Sequence, residues 1–157
     1  MSGLKEFTMF QKILLYFAIL SLLVPVIYII VTWPSIPDQI PTHFNAAGEA
    51  DAWNNKSSVI ILIVVEVALF ILMFWTLMFP RMWNMPVKLT ENNTPGAYRH
   101  TRSMLCWIML GINVMFSYLN IQSCRGASLG ALFLPISLGA TAVILIYYII
   151  RIIRLPK

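Results

Sequence analysis

The sequence predicts an all-α, polytopic membrane protein built as a bundle of four transmembrane helices. Hydrophobic residues make up 59% of its 157 residues and charged residues only 11%, whereas soluble domains carry about 25% charged residues. Four apolar runs approach the ~20 helical residues that cross a ~30 Å hydrocarbon core, at residues 13–32, 59–79, 104–121 and 129–150. The whole chain, residues 1–157, is therefore predicted to form a single integral membrane domain.

The first apolar run is predicted to stay in the mature protein as an anchor. A signal peptide has a shorter apolar core, of about 7–15 residues, followed by a cleavage site made of small residues. This run is longer, and it ends in YIIVTW, which lacks such a site.

Basic residues are distributed unevenly between the connections at the two ends of the helices. Two of them, Lys56 and Arg125, lie in the first and third connections. The other nine, in the terminal segments and the second connection, are Lys5, Lys12, Arg81, Lys88, Arg99, Arg102, Arg151, Arg154 and Lys157. Because basic residues are retained inside, both termini and the loop 80–103 are predicted to be cytoplasmic, and residues 33–58 to face outside.

The formal net charge of +5 and the pI near 9.5 are explained by this topology. Basic residues at the cytoplasmic surface are attracted by anionic lipid. The chain has no motif of a nucleic-acid-binding fold. The lipid bilayer is therefore an expected partner, and nucleic acid is not.

Cys106 and Cys124 are the two cysteines of the chain. Along one helix they would be separated by about 27 Å, which is too far for a disulfide between them. We expect no disulfide within the chain.

The connection between the first two apolar runs, residues 33–58, is predicted to form an ordered, Pro/Gly-rich cap outside the membrane. Pro34, Pro37 and Pro41 fix their own φ and disfavour helix at the residues before them. Residues 33–42 are therefore expected to be extended.

Gly48 is predicted to reverse the chain within the cap, because glycine readily adopts a positive φ. The reversal would bring Asp51 and Trp53 back towards His43. Asparagine and serine commonly cap helices, and the candidates to cap the second helix are Asn54, Asn55, Ser57 and Ser58.

The polar side chains of the cap have two structural interpretations and one functional interpretation. Either His43 hydrogen-bonds Asp51 across the turn, or Asp51 pairs with Lys56, because polar groups near lipid must be satisfied. A cap made rigid in this way also provides a preorganised surface for a ligand. One histidine and no cysteine supply too few ligands for a metal site, so we expect neither a metal nor a cofactor.

The cap resembles the signature of a bacterial membrane domain, the domain of unknown function 1648, which also forms the N-terminal part of SdpI-type immunity proteins. The residues that carry the resemblance are Ile36, Pro37, Ile40, Pro41, His43, Asn45, Gly48, Asp51, Trp53 and Lys56. The segment NTPGAYRHTRSML before the third run also fits the layout of that family.

The resemblance implies a small polytopic protein of a bacterial cell membrane, sometimes linked to self-protection against a secreted toxic peptide or to signalling. The full immunity proteins have further C-terminal membrane segments beyond four helices. The resemblance also implies that the cap-forming or ligand-binding residues are His43, Asn45, Gly48, Asp51, Trp53 and Lys56.

Glu66 is an acidic residue within the second apolar run, about 10 Å from its outer end along a helix. An acid at this depth is a functional candidate by default. Residues at a similar depth on the other helices are Pro25, Asn113, Pro135 and Ser137. We predict an intramembrane polar centre in which Glu66 hydrogen-bonds Asn113 or Ser137. The centre either lines a pocket beneath the cap or only holds the helices together.

Small residues are frequent around the start of the fourth run. Gly126 and Gly130 have the small-xxx-small spacing that lets helices approach closely. Within one chain this spacing favours intramolecular packing over a dimer interface.

Three classes of function are compatible with these features. The first is a protein that binds or senses a peptide, a lipid or a partner membrane protein at its outer face. The second is a transporter or channel component in which Glu66 couples ions or protons, although four helices without inverted repeats are unusual for a transporter. The third is an enzyme, which we do not expect because the chain has no nucleophile–base pair, metal motif or phosphate-binding loop.

Overall fold

The structure, a computed structural model, describes residues 6–156 and contains four long helices. They are α1 (Met9–Thr32), α2 (Val59–Met78), α3 (Thr94–Cys124) and α4 (Phe133–Ile153). Each is long and apolar enough to cross a membrane, which confirms the four predicted spans. Lys5 and Lys157, two of the residues behind the predicted orientation, lie outside the described residues.

α3 begins ten residues before the predicted start at 104, so the predicted loop 80–103 is too long. Pro95 lies in the first turn of α3, a position that suits proline because its missing N–H has no intrahelical acceptor to lose there. A short turn precedes the helix, in which Asn93 Oδ1 accepts from the Thr90 N–H at 2.9 Å.

α1 and α4 also differ from the predicted bounds. α1 begins four residues earlier than residue 13 because Thr8 and Gln11 form a capping box that satisfies free N–H groups at the helix start. α4 begins at Phe133, later than residue 129, because Gly130 has a φ of +85°, which a regular helix does not contain. It ends at Ile153 instead of residue 150.

α3 is the central helix and contacts α1, α2 and α4. From Cys106 to Ser123 its buried residues recur every three or four positions, so they form one face of the helix. The large apolar side chains of the other helices are mostly exposed, including Tyr16, Ile61, Leu72, Val143 and Ile146. Exposed side chains of this kind face lipid in a multi-pass membrane protein.

α1 and α3 approach closely where the small residue Ala18 is completely buried. The Ala18 carbonyl accepts hydrogen bonds from Asn113 Nδ2 at 3.3 Å and from Ser21 Oγ at 2.9 Å. A small side chain at this crossing allows the Asn113 amide to reach the backbone of the neighbouring helix.

Polar contacts also join α1 to α3 at the end of the bundle where residues 6–12, 80–103 and 150–156 meet, here called the termini end. Gln11 Nε2 donates to Ser103 Oγ at 3.0 Å and to the Arg99 carbonyl at 3.1 Å. Arg102 lies over the Phe7 ring, with 4.9 Å between Cζ and the ring centroid.

The cap, residues 33–58, contains a β-hairpin, so the prediction of an all-α fold is wrong for this segment. Strands β1 (Gln39–Phe44) and β2 (Ala50–Asn55) pair antiparallel. Their register pairs Gln39 with Asn55 and Phe44 with Ala50, with an irregularity around His43. The reversal predicted at Gly48 therefore brings back a paired strand instead of unpaired chain.

Short 3₁₀ turns lead into and out of the hairpin. Trp33–Ser35 is such a turn, so the predicted extended conformation of residues 33–42 is wrong at its start. The turn Lys56–Ser58 precedes α2, and Asn55 Oδ1 caps it by accepting from the Ser57 N–H at 3.0 Å. Asn55 is thus the member of the predicted capping set that acts at this helix entry.

One side of the cap packs on the helix ends that lie opposite the termini end. Ile36 and Ile40 are buried in one cluster with Val59 at the start of α2 and Cys124 at the end of α3. The apolar contact of Ile36 and Ile40 with Val59 and Cys124 fixes the cap against the bundle.

Both cysteines are free and buried, so no disulfide joins them.

The tip of the hairpin is attached to the α3–α4 connection. The Gly48 carbonyl accepts from the Leu129 N–H at 2.8 Å. Gly48 has a φ of +74°, and a Cβ added to it would lie 2.5 Å from the Gly130 carbonyl oxygen. Gly126 and Gly130 have positive φ values within this connection, so their predicted role in helix packing is wrong.

We expect Gly48→Ala to destabilise the protein by about 1–3 kcal/mol, since alanine adds both a strained backbone conformation and a clash with Gly130. Denaturant titration in detergent micelles would measure the change in the free energy of unfolding. Gly48→Ala as stable as the parent would contradict the attachment of the hairpin tip.

Two alanine variants are matched controls for this experiment. Gly130→Ala introduces a side chain at a φ of +85° without a clash, because nothing lies within 4 Å of the added Cβ. It should destabilise less than Gly48→Ala. Gly139→Ala lies within α4 with neither strain nor a close neighbour, and it should leave stability unchanged or raise it by up to about 1 kcal/mol.

Candidate functional site

His43 and Asp51 face each other across the hairpin, as one of the two structural interpretations predicts. His43 Nδ1 lies 2.5 Å from Asp51 Oδ1. Because a carboxylate only accepts hydrogen bonds, the imidazole is the donor. The two side chains remain 69% and 43% exposed, so this pair holds the strands together and is also accessible from solvent.

Lys56 does not pair with Asp51, which was the other structural interpretation. Its ammonium lies 3.2 Å from Asp38 Oδ1 and 5.7 Å from the centroid of the Trp33 ring. The Lys56 N–H also donates to the Asp38 carbonyl at 2.9 Å. Lys56 therefore closes the base of the cap, close to the ends of α1 and α2.

Asn45 and Gly48 form the turn between the strands. Asn45 Oδ1 accepts from the N–H groups of Ala47 at 2.9 Å and of Glu49 at 3.0 Å. Such bonds from an asparagine side chain to the following backbone are typical of tight turns. Asn45 therefore shapes the turn of the cap through its side chain, and Gly48 through its positive φ.

Trp53 is the large aromatic residue on the exposed strand of the cap. It lies on β2 two residues after Asp51, next to the irregularity in the strand pairing. Trp53 is 50% exposed, and its ring lies near Gly126 of the α3–α4 connection. Trp53, Asp51 and His43 are exposed side chains of the same hairpin, here together called the cap face.

Glu66 lies within α2 and is completely buried. Its hydrogen-bond partner is Asn120 of α3, whose Nδ2 donates to Glu66 Oε2 at 2.7 Å. The predicted partners, Asn113 and Ser137, are therefore wrong. Asn120 was overlooked because α3 was expected to end at residue 121, which would have placed Asn120 at the membrane surface.

Asn113 and Ser137 occupy separate positions in the bundle. Asn113 binds the backbone of α1 at Ala18. Ser137 is half-buried on α4, where its carbonyl accepts from Thr141 Oγ1 at 2.8 Å. The three residues of the predicted polar centre thus do not meet at one place. The polar layer around Glu66 is formed by α2 and α3.

Several side-chain oxygen atoms of α2 and α3 are buried without a hydrogen-bond partner in the described part of the chain. They are Glu66 Oε1, Asn113 Oδ1, Asn120 Oδ1 and Ser123 Oγ. Oxygen atoms of carboxyl, amide and hydroxyl groups can accept a proton or bind a small cation. The α2–α3 interface therefore contains oxygen acceptors that no side chain of the described residues satisfies.

Glu66 lines neither the cavity beneath the cap nor a second cavity at the termini end of the bundle. A cavity of about 280 Å³ lies beneath the cap, and its lining residues are Tyr28, Thr32, Ser35, Ile36, Pro37, Cys124 and Arg125. Glu66 is not among them. Across residues 6–156, no three His, Cys, Asp or Glu side chains are grouped so as to hold a metal ion.

Sequence reasoning missed Gln11, Ser103 and Asn120, which make buried polar contacts between helices. The signal that could have found Asn120 is the spacing of Asn113, Ser117 and Asn120 within an apolar segment. These three positions follow one another at intervals of four and three residues, so they lie on one face of a helix.

The comparisons with known proteins identify one segment of the chain. Residues 20–67 match the family model described as Domain of unknown function (DUF1648). No curated protein and no solved structure matches the chain. The matched segment runs from α1 through the cap and includes Glu66 in α2. The chain therefore contains a domain of unknown function 1648, formed by residues 20–67.

Proposed function

We propose that this protein binds or senses a ligand at the cap face, from the outer side of a bacterial cell membrane. Seven of the basic residues at the termini end lie within residues 6–156: Lys12, Arg81, Lys88, Arg99, Arg102, Arg151 and Arg154. The excess of basic residues at cytoplasmic surfaces supports placing both termini in the cytoplasm. In this orientation the cap face is extracytoplasmic.

The observation that carries the proposal is an exposed aromatic side chain beside an exposed His43–Asp51 pair on a fixed hairpin. Tryptophan is enriched among the residues that contribute most to binding. The hairpin is held by the Asn45 turn, the Lys56–Asp38 pair and the Gly48–Leu129 hydrogen bond. Less conformational entropy is lost on binding to a surface that is already ordered.

The ligand that the cap face suits has both apolar and hydrogen-bonding groups. Trp53 offers an apolar ring, while the His43–Asp51 pair offers polar contacts. A secreted peptide, a lipid or a partner membrane protein has this composition. Immunity is the case in which the ligand is a toxic peptide, and signalling is the case in which binding changes a second protein.

We expect native mass spectrometry of the detergent-purified protein to detect a bound species that His43→Ala/Asp51→Ala and Trp53→Ala each release. Both variants remove side chains of the cap face. The thermal midpoint of each variant should be compared with that of the parent, so that loss of binding is separated from unfolding.

Asn54→Ala is the matched control, because Asn54 is exposed on the same strand but points to its other side. The control should retain the bound species. Identical spectra for the parent and the two cap-face variants would show that the cap is structural and would refute the proposal.

A second candidate function is ion- or proton-coupled transport, and the observation that favours it is the buried Glu66–Asn120 pair. An acid in the hydrocarbon region is costly when ionised, and such acids are commonly found in ion pathways and proton relays. The unpartnered oxygen atoms of the same layer supply further acceptors. In the alternative role this pair only links α2 to α3.

We expect Glu66→Leu and Asn120→Leu to be coupled in their effects on stability. A hydrogen bond between membrane helices contributes about 0.6–2 kcal/mol, and a double-mutant cycle in detergent micelles would measure this interaction energy. The cycle of Glu66→Leu with Asn113→Leu serves as the control and should give a coupling near zero. Equal coupling in both cycles would contradict the specific pair.

Flux measurements distinguish transport from helix association. Glu66→Gln keeps a polar side chain that can still accept from Asn120 but cannot exchange a proton. If the protein transports ions or protons, proteoliposomes of the parent should show proton-dependent flux, and those of Glu66→Gln should not. Folded parent protein without flux would leave Glu66 as a residue that links α2 to α3.

A further inference from the structure

A second cavity, of about 1080 Å³, lies at the termini end of the bundle, opposite the cap. It is enclosed by the segment before α1, the turn before α3 and the first turns of α3. The side chains relevant to its chemistry are Glu6, Gln11, Glu91, Tyr98, Arg99 and Arg102. Pockets that bind small molecules typically measure about 300–1000 Å³, so this cavity is large enough for a ligand.

Positive and negative side chains both line this cavity. Arg99 and Arg102 contribute two guanidinium groups, and Glu6 and Glu91 contribute two carboxylates. The formal charges of these four groups cancel. A ligand with separate anionic and cationic groups therefore matches the lining better than a ligand with a net charge of either sign.

The wall formed by Arg102 is fixed. Arg102 is only 4% exposed, and its guanidinium lies between the Phe7 ring at 4.9 Å and the Trp83 ring at 5.7 Å. Its Nη1 also donates to the Glu6 carbonyl at 2.9 Å. These contacts place a positive charge in the cavity wall before any ligand arrives.

The cavity lies beside the surface that faces lipid. Met9 and Phe10, at the start of α1, are exposed apolar residues directly after the Glu6–Thr8 part of the lining. Met82, in the turn after α2, is also exposed. A polar cavity next to exposed apolar side chains at a helix end is located where lipid headgroups meet hydrocarbon.

We propose that this cavity binds the headgroup of a zwitterionic phospholipid with a primary ammonium, as in phosphatidylethanolamine. The phosphate would contact Arg99, because guanidinium groups bind phosphate with two parallel hydrogen bonds. The buried Arg102 would add its positive charge to the cavity wall. The ammonium would donate to Glu6 and Glu91. The remaining volume accommodates the glycerol and the beginning of the acyl chains, which continue towards Phe10.

Native mass spectrometry of the full chain in micelles with equal amounts of phosphatidylethanolamine, phosphatidylcholine and phosphatidylglycerol tests this site. The parent should retain phosphatidylethanolamine preferentially. The quaternary ammonium of phosphatidylcholine has no N–H to donate, and phosphatidylglycerol has no cation for the two carboxylates. This comparison needs no variant, and equal retention of the three lipids would overturn the proposal.

Variants test the carboxylates and the guanidinium groups of the site separately. Glu6→Gln/Glu91→Gln should lower the preference for phosphatidylethanolamine over phosphatidylglycerol on the order of tenfold, because it removes charged hydrogen-bond acceptors. Arg99→Gln should weaken both lipids. Arg154→Gln is the control, since Arg154 is an exposed arginine near the same end that does not line the cavity.

Two further outcomes would overturn the proposal. The first is an Arg154→Gln variant that loses as much lipid as Arg99→Gln, which would indicate general charge attraction. The second is competition by soluble glycerophosphoethanolamine as strong as that by the lipid, which would assign the cavity to a soluble zwitterion. Failure of this experiment leaves the cap face unaffected, because the two sites lie at opposite ends of the helices.

Discussion

The polar face of α3 is the constraint on which the rest of the structure depends. In a bilayer no bulk water is available for Asn113 or Asn120, so their side chains bond to other helices. Ser103 makes a third contact with another helix, at the termini end. The partners are the Ala18 carbonyl and Gln11 on α1 and Glu66 on α2. Because these three contacts lie at different heights along α3, they fix its rotation and its height relative to α1 and α2.

The position of the cap follows from the position of α3. The last turn of α3 places Cys124 beneath Ile40 of the hairpin, and the connection after it presents the Leu129 N–H to Gly48. The cap is thus held by an apolar contact at its base and by a hydrogen bond at its tip. A hairpin without a broad hydrophobic face is marginal alone, and the bundle supplies the surface that it lacks.

The sequence predicted the four spans, the reversal at Gly48 and, as one of two alternatives, the His43–Asp51 contact, because apolar length and local turn chemistry determine these features. The hairpin was missed because three prolines argue against regular strands, although Pro41 is tolerated beside an irregularity in the pairing. The Glu66–Asn120 pair depends on how far α3 extends and rotates. Those are properties of helix packing, which hydropathy does not report.

The geometry bears differently on the two candidate functions. His43, Asp51 and Trp53 are accessible as they stand, so a ligand can bind at the cap face without any rearrangement of the bundle. Glu66 is completely buried and lines neither cavity, so ion or proton flux requires a second conformation in which α2 and α3 separate. Such a conformation must replace the hydrogen bond from Asn120, and a ligand can favour it only by binding it more tightly than the closed form. Recognition at the cap face therefore requires no second conformation of the bundle, whereas transport does.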